Sequence, residues 1–123
     1  MTEIAPTDVK PEISFEEFSK IDLRVATVTV AEPHPNADRL LRIMLDDGTP
    51  QPRQVCAGIK AWYDPASLVG RQVIIVANLA PRTLRGETSD GMILAATSRD
   101  DDGAEDVVLL VLDRPVSAGS PVS

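Results

Sequence analysis

Two arginines three residues apart, Arg82 and Arg85, lie in a stretch that also holds Asn78, Gly86, Ser89 and Gly91, with Met92 directly after it. A guanidinium is a flat fork of donors that matches paired phosphate oxygens, so two of them on one loop suit a phosphate backbone. The Asn78 amide donates and accepts at once, which suits a base edge; capping a turn at a strand end competes with that role on equal terms. Ser89 adds a hydroxyl, and Met92 is either an adaptable apolar contact or part of the core. Gly86 and Gly91 permit close backbone approach or a simple turn. Arg39, Arg42, Arg53 and Lys60 would widen this basic surface, with solvated ion pairing as the competing role for each.

No comparable set forms for catalysis. His34, the single histidine, sits in a proline-flanked loop and is expected at the surface. Cys56, the single thiol, lies on an apolar run, where a buried, inert side chain is the expectation. The run Asp100, Asp101, Asp102 lacks the spaced ligands of a calcium loop and reads as a solvated turn. There is no glycine-rich phosphate loop. The expectation is a chain with no catalytic residues, no metal and no cofactor.

The elements that must position these residues read mainly as strands. With 43% hydrophobic but only 3% aromatic residues, the core has to be built from Val, Ile and Leu. Residues 73–77 form an unbroken, mostly β-branched run, as for a strand buried on both faces, and residues 92–96 form a second apolar run. The polar loop between them carries the arginines, and a rigid scaffold that presents such a loop usually presents it to a partner.

Residues 1–12 are polar and aperiodic and read as a mobile tail, leaving 13–123 as one domain. Ser14 and Glu17 have capping-box spacing for a short helix, with Phe15 and Phe18 on one face as a lid over one end of a barrel. Residues 21–32 form a long strand whose alternation changes phase: Ile21, Leu23 and Val25, then Ala26, Val28 and Val30. Such a slip marks a bulge or a sharp coil. Strands follow at 39–45 and 53–58. Asp64, Pro65 and Gly70 then bracket a compact helix, and 106–112 is a final apolar strand with an extended tail. Trp62 and Tyr63 are too few for a stacking track and are assigned to packing or a subunit contact.

The formal net charge of -7 opposes nucleic-acid binding. The acids, however, are concentrated in residues 1–17 and 100–106. Residues 18–99 carry ten bases against eight acids. Moderate, salt-sensitive affinity with recognition by shape is the expectation. A single cysteine excludes a disulfide framework, no apolar run approaches the ~18 residues of a membrane span, and the N-terminus lacks signal-peptide character, which together suggest the cytoplasm.

The motif Asn78-Leu-Ala-Pro-Arg82, then Gly86, then Ser89-Asp-Gly-Met92-Ile-Leu-Ala-Ala, resembles the signature of the tRNA-binding OB-fold family. That family includes the C-terminal domain of bacterial methionyl-tRNA synthetases and free-standing structure-specific tRNA-binding proteins. The segments Pro35-Asn-Ala-Asp-Arg-Leu40 and Arg53-Gln-Val-Cys-Ala-Gly-Ile59 resemble it too, and the likeness spans residues 14–123. Ala26 and Ala57 stand where relatives often carry Gly and Ser. The resemblance implies an all-β, five-stranded Greek-key OB-fold barrel with a short N-terminal helix, a helix between strands three and four, and a C-terminal strand and tail. It implies tRNA as partner, contact at the outer corner of the tRNA through Asn78, Arg82, Ser89 and Met92, a homodimer, and service to an aminoacyl-tRNA synthetase of the methionyl type. Two other roles within reach are a dimerisation subunit for that synthetase and a chaperone-like polypeptide binder of the export-related branch.

Overall fold

β1 (Leu23–Pro33) is long enough to serve two neighbours, and the rest of the sheet follows from that. Its first half, Leu23 to Thr27, pairs antiparallel with β4 (Gln72–Val76), and its second half, Thr27 to Pro33, pairs with β2 (Leu41–Asp46). The two registers are separated by an irregularity between Val28 and Val30. One extra residue there bends the strand, so its halves face different parts of the barrel. The phase change expected at Val25 and Ala26 therefore occurs a few residues later. Val25 and Ala26 are both buried because the strand is covered on two sides at that point: the Val25 N–H donates to the Ser120 carbonyl, and the Gly119 N–H donates to the Val25 carbonyl.

A computed structural model describes residues 9–123; most of the tail expected at 1–12 lies outside the described residues. The remaining elements are α1 (Phe15–Phe18), β3 (Arg53–Ala57), α2 (Pro65–Leu68), β5 (Arg82–Leu84), β6 (Glu87–Ser89), β7 (Met92–Ile93), β8 (Ala95–Arg99), β9 (Glu105–Leu109) and β10 (Pro121–Val122). The main sheet has the order β3-β2-β1-β4-β7, with β10 added on β1. β3 curls round to meet β6 and β7. That seam is stitched by the Asp90 N–H to the Gln54 carbonyl at 2.8 Å and the Gln54 side-chain amide to the Thr88 carbonyl at 2.8 Å. The result is the expected all-β, OB-type barrel.

The core fills from alternating strand positions. Leu41, Ile43 and Leu45 of β2 are fully buried, joined by Val55, Val73, Ile75 and Val28. α2 closes one end with Leu68, its first turn capped by the Asp64 carboxylate accepting from Ala66 N–H.

Three expectations need correction. Ser14 caps α1 through the Glu17 N–H, but Phe15 is 81% exposed and Phe18 only half-buried, so α1 is not a lid. The run at 92–96 is split into β7 and β8, because Leu94 hands the chain from β4 to β9: its N–H bonds the Ile74 carbonyl and its carbonyl accepts from Leu110. The arginine-bearing loop also contains a hairpin, β5–β6. Its three-residue strands carry too little apolar alternation to be read from sequence.

Candidate nucleic-acid interface

The β5–β6 hairpin turns on Arg85 and Gly86, at φ 52 and 87. Two successive positive φ values give the turn whose twist suits a two-residue hairpin. Glycine accepts this freely, whereas arginine pays about 1 kcal/mol for the left-handed region. The return is that Arg85 stands at the tip, exposed, with its carbonyl accepting from the Asn36 side-chain amide at 3.3 Å.

The loop from His34 to Leu40 faces this tip. His34 is 4% exposed, which corrects its expected surface position. Its Nδ1 accepts from the Asn36 N–H at 2.9 Å, which leaves Nε2 to carry the proton and donate to the Leu84 carbonyl at 2.8 Å. Neither His34 nor Asn36 stands out as a binding residue from the sequence. Their partners lie 50 and 49 residues away, and no local signal reports such pairing. Between loop and hairpin runs a groove of about 500 Å³ lined by Asp38, Arg39, Leu40, Thr83, Leu84 and Arg85. One arginine from each element therefore lines the same groove.

Beside it, Arg82 and the 41% exposed Met92 border a second cleft of about 350 Å³, whose lining includes Cys56, Ile59, Ile93 and Leu109. Burial pushes the Cys56 thiol up, more than the nearby Arg42 charge pulls it down, so the thiol stays protonated and unreactive at neutral pH. The β8–β9 arm that walls this cleft is held by the aromatic pair: Trp62 Nε1 donates to the Glu105 carbonyl at 3.1 Å, and the Tyr63 hydroxyl accepts from Leu109 N–H at 3.0 Å.

The candidate residues divide into two sets. Arg39, Lys60, Arg82 and Arg85 are exposed, and none of them joins an ion pair among the described residues. The others are engaged within the fold. Arg42 bridges Glu32 and Glu87. Arg53 bonds Asp47 and the carbonyls of Ala77 and Asp90. Ser89, 1% exposed, accepts from Cys56 N–H and donates to the Gly91 carbonyl. The Asn78 amide donates to the Lys20 carbonyl at 2.6 Å and accepts from Asp22 N–H at 2.9 Å, tying the end of β4 to the chain entering β1. Arg42, Arg53, Ser89 and Asn78 thus shape the surface that the free cations occupy.

The barrel and the groove between the 34–40 loop and the β5–β6 hairpin, each carrying an arginine that joins no ion pair among the described residues, define a binding domain of the OB class, a fold that binds oligonucleotides through its barrel face and loops. Comparison with known proteins makes this specific. The model of the family described as "Putative tRNA binding domain" matches residues 23–121, and the chain belongs to that family. It is 57% identical over 91 residues to a methionine–tRNA ligase of Chlorobium limicola, covering 74% of this chain and 13% of that protein. It is 46% identical over 117 residues to the methionine–tRNA ligase of Aromatoleum aromaticum, covering 91% and 16%. The chain thus spans about a seventh of these relatives. Among solved structures, a MetRS-related protein from Pyrococcus horikoshii superposes with TM-score 0.80 at 29% identity, covering 93% of this chain and all of that one. The chaperone CsaA of Bacillus anthracis superposes with TM-score 0.78 at 32% identity, covering 92% and 100%.

Proposed function

We propose that this chain is a non-catalytic module that grips folded tRNA by its backbone and serves an aminoacyl-tRNA synthetase of the methionyl type in the cytoplasm. The observation that carries the reading is the pair Arg39 and Arg85, unpaired among the described residues, from two separate elements but lining one groove. Arg82 continues the line of cations along the hairpin and Lys60 adds a further base. Each is free to replace counterions on phosphates, which gives salt-dependent affinity. Trp62 and Tyr63 form one half-buried pair pinned to the β8–β9 arm, too few rings for a stacking track. This favours reading a duplex surface by shape over reading unpaired bases. A second attachment of this kind raises a synthetase's hold on tRNA by effective concentration alone.

The test is a filter-binding titration of the Arg82→Ala, Arg85→Ala double variant against the wild type with total tRNA. A loss of roughly tenfold or more supports the reading. Unchanged affinity, or equal capture of an unfolded polypeptide by both proteins, overturns it in favour of a chaperone-like role.

A homodimer is a further part of the proposal, supported by one observation. Val108, Leu110, Val111 and Val116, on β9 and the tail that follows it, are each between 37% and 58% exposed, apolar surface that a second copy could cover. Sedimentation of wild type and Val111→Asp tests it: a wild-type dimer that the variant dissociates supports the interface, and a wild-type monomer at micromolar concentration removes it.

A further inference from the structure

We propose that His34 is the positioning residue of this surface: as a neutral imidazole it latches the 34–40 loop to the β5–β6 hairpin, so setting the separation of Arg39 and Arg85, and a proton on Nδ1 releases the latch. The consequence for RNA rests on the tRNA reading above; the latch itself does not. Three contacts cross from the loop to the hairpin turn or brace the crossing. His34 Nε2 donates to the Leu84 carbonyl at 2.8 Å, the Asn36 side chain donates to the Arg85 carbonyl at 3.3 Å, and the Asn36 N–H donates to His34 Nδ1 at 2.9 Å. Asn36 is therefore oriented by the same ring that grips Leu84. The hairpin needs this help, because Arg85 holds φ 52 at its tip.

The neutral ring has one donor and one acceptor, and both are used. Protonation turns Nδ1 into a second donor aimed at the Asn36 N–H, so that contact has to open. Both ring partners are backbone groups, so no carboxylate is bonded to the ring to stabilise the added charge. The charged groups on the surrounding elements are Asp38 and Arg39 on its own loop, Glu32 and Arg42 on β1 and β2, and Arg85 and Glu87 on the hairpin. Of these, Glu32, Arg42 and Glu87 are taken up with one another.

The direction of the pH effect separates this role from plain electrostatics. An added positive charge beside an RNA surface would tighten binding as pH falls, whereas release of the latch loosens it. The experiment follows the His34 ring nitrogens and the Asn36 and Arg85 amides of the whole chain by nitrogen-15 NMR without RNA, as the pH is lowered from about 7.5 to 5.5. Affinity for total tRNA is measured in parallel for wild type and His34→Gln, which keeps an amide donor towards Leu84 but does not titrate. The expected result is an Nε2–H tautomer at the upper pH and Asn36 and Arg85 amides that move with the ring while those of Ile43 and Ile75 stay still. Wild-type affinity falls roughly three- to tenfold with the same midpoint, and His34→Gln stays flat. An Nδ1–H tautomer, amides that do not follow the ring, a ring that stays neutral throughout, affinity that rises or stays level, or matching profiles in the two proteins would each overturn the latch. A ring and amides that titrate together in a chain that binds no tRNA at any pH would leave the latch standing and remove the tRNA reading alone.

Discussion

The Nε of Arg53 lies 2.8 Å from Oδ2 of Asp47, and the same guanidinium reaches the carbonyls of Ala77 and Asp90 at 3.1 and 3.0 Å. One cation thus joins the turn after β2, the end of β4 and the loop that leads into β7. Asp47 is 3% exposed and also accepts from the Thr49 N–H and hydroxyl. Burial works to raise its carboxyl, but the bonds from Thr49 and Arg53 together outweigh it and hold the carboxyl below the usual aspartate range. Asp47→Ala leaves the Arg53 guanidinium with only the partly exposed Asp90 carboxylate, at 3.5 Å, and is expected to cost about 2 kcal/mol, or roughly 8 °C in Tm. The lowered carboxyl value sets the pH sign. Its stabilisation is fully present above the ordinary aspartate value of about 3.9 and is lost as pH falls through the lower folded value. Thermal melts across this acid range check both points: Asp47→Asn should start less stable and lose less on acidification than wild type, and equal acid slopes would contradict the assignment.

The C-terminal tail rests on the β2–β3 turn where Gly119 meets Gly48. A Cβ on Gly119, at φ 88, would lie 2.6 Å from the Asp47 carbonyl oxygen, whereas one on Gly70, at φ 89, meets nothing within 4 Å. Both alanine variants carry the left-handed backbone cost of about 1 kcal/mol, and only Gly119→Ala adds a backbone clash. Urea unfolding should therefore show Gly119→Ala destabilised at least about twice as much as Gly70→Ala. Equal losses would mean that the tail is not seated as described.

The two sets of arginines should behave oppositely. Arg42→Ala strands Glu32 and Glu87 beside each other and should lower Tm by several degrees, while tRNA affinity changes less than about twofold. Arg85→Ala removes an exposed side chain that joins no ion pair among the described residues and should leave Tm within about 2 °C while weakening tRNA several-fold. Paired melting curves and binding isotherms decide it; a reversed pattern would reassign the interface to β2.

What the sequence made legible is what local pattern can carry. The buried run at 73–77 and the alternation of Leu41, Ile43 and Leu45 became β4 and β2, and Asp64 and Ser14 cap their helices as their spacing suggests. Arg82 and Arg85 were legible as candidates because a side chain with no bond to the other described residues shows its chemistry in its type alone. Ser89, Arg53 and Asn78 were not separable from them, because burial and partners decide their roles, and their partners lie 24 to 58 residues away except for the nearby Asp47 and Gly91. Asn78 could equally cap a turn or touch a base from its position at a strand end; only Lys20 and Asp22 show that its amide is used inside the fold. His34 was misplaced for the same reason. Two flanking prolines describe a loop, but not that the loop folds its ring under a hairpin fifty residues on.

The most direct measurement of the central claim is a competition titration at two salt concentrations, with labelled tRNA displaced by unlabelled tRNA or by an unstructured RNA of the same length. The account predicts saturable binding that weakens with salt and is displaced by tRNA at concentrations roughly tenfold or more below those the unstructured RNA requires. Equal displacement by both RNAs at low salt, or no saturable binding at all, would contradict recognition of folded tRNA by the Arg39, Arg82 and Arg85 surface.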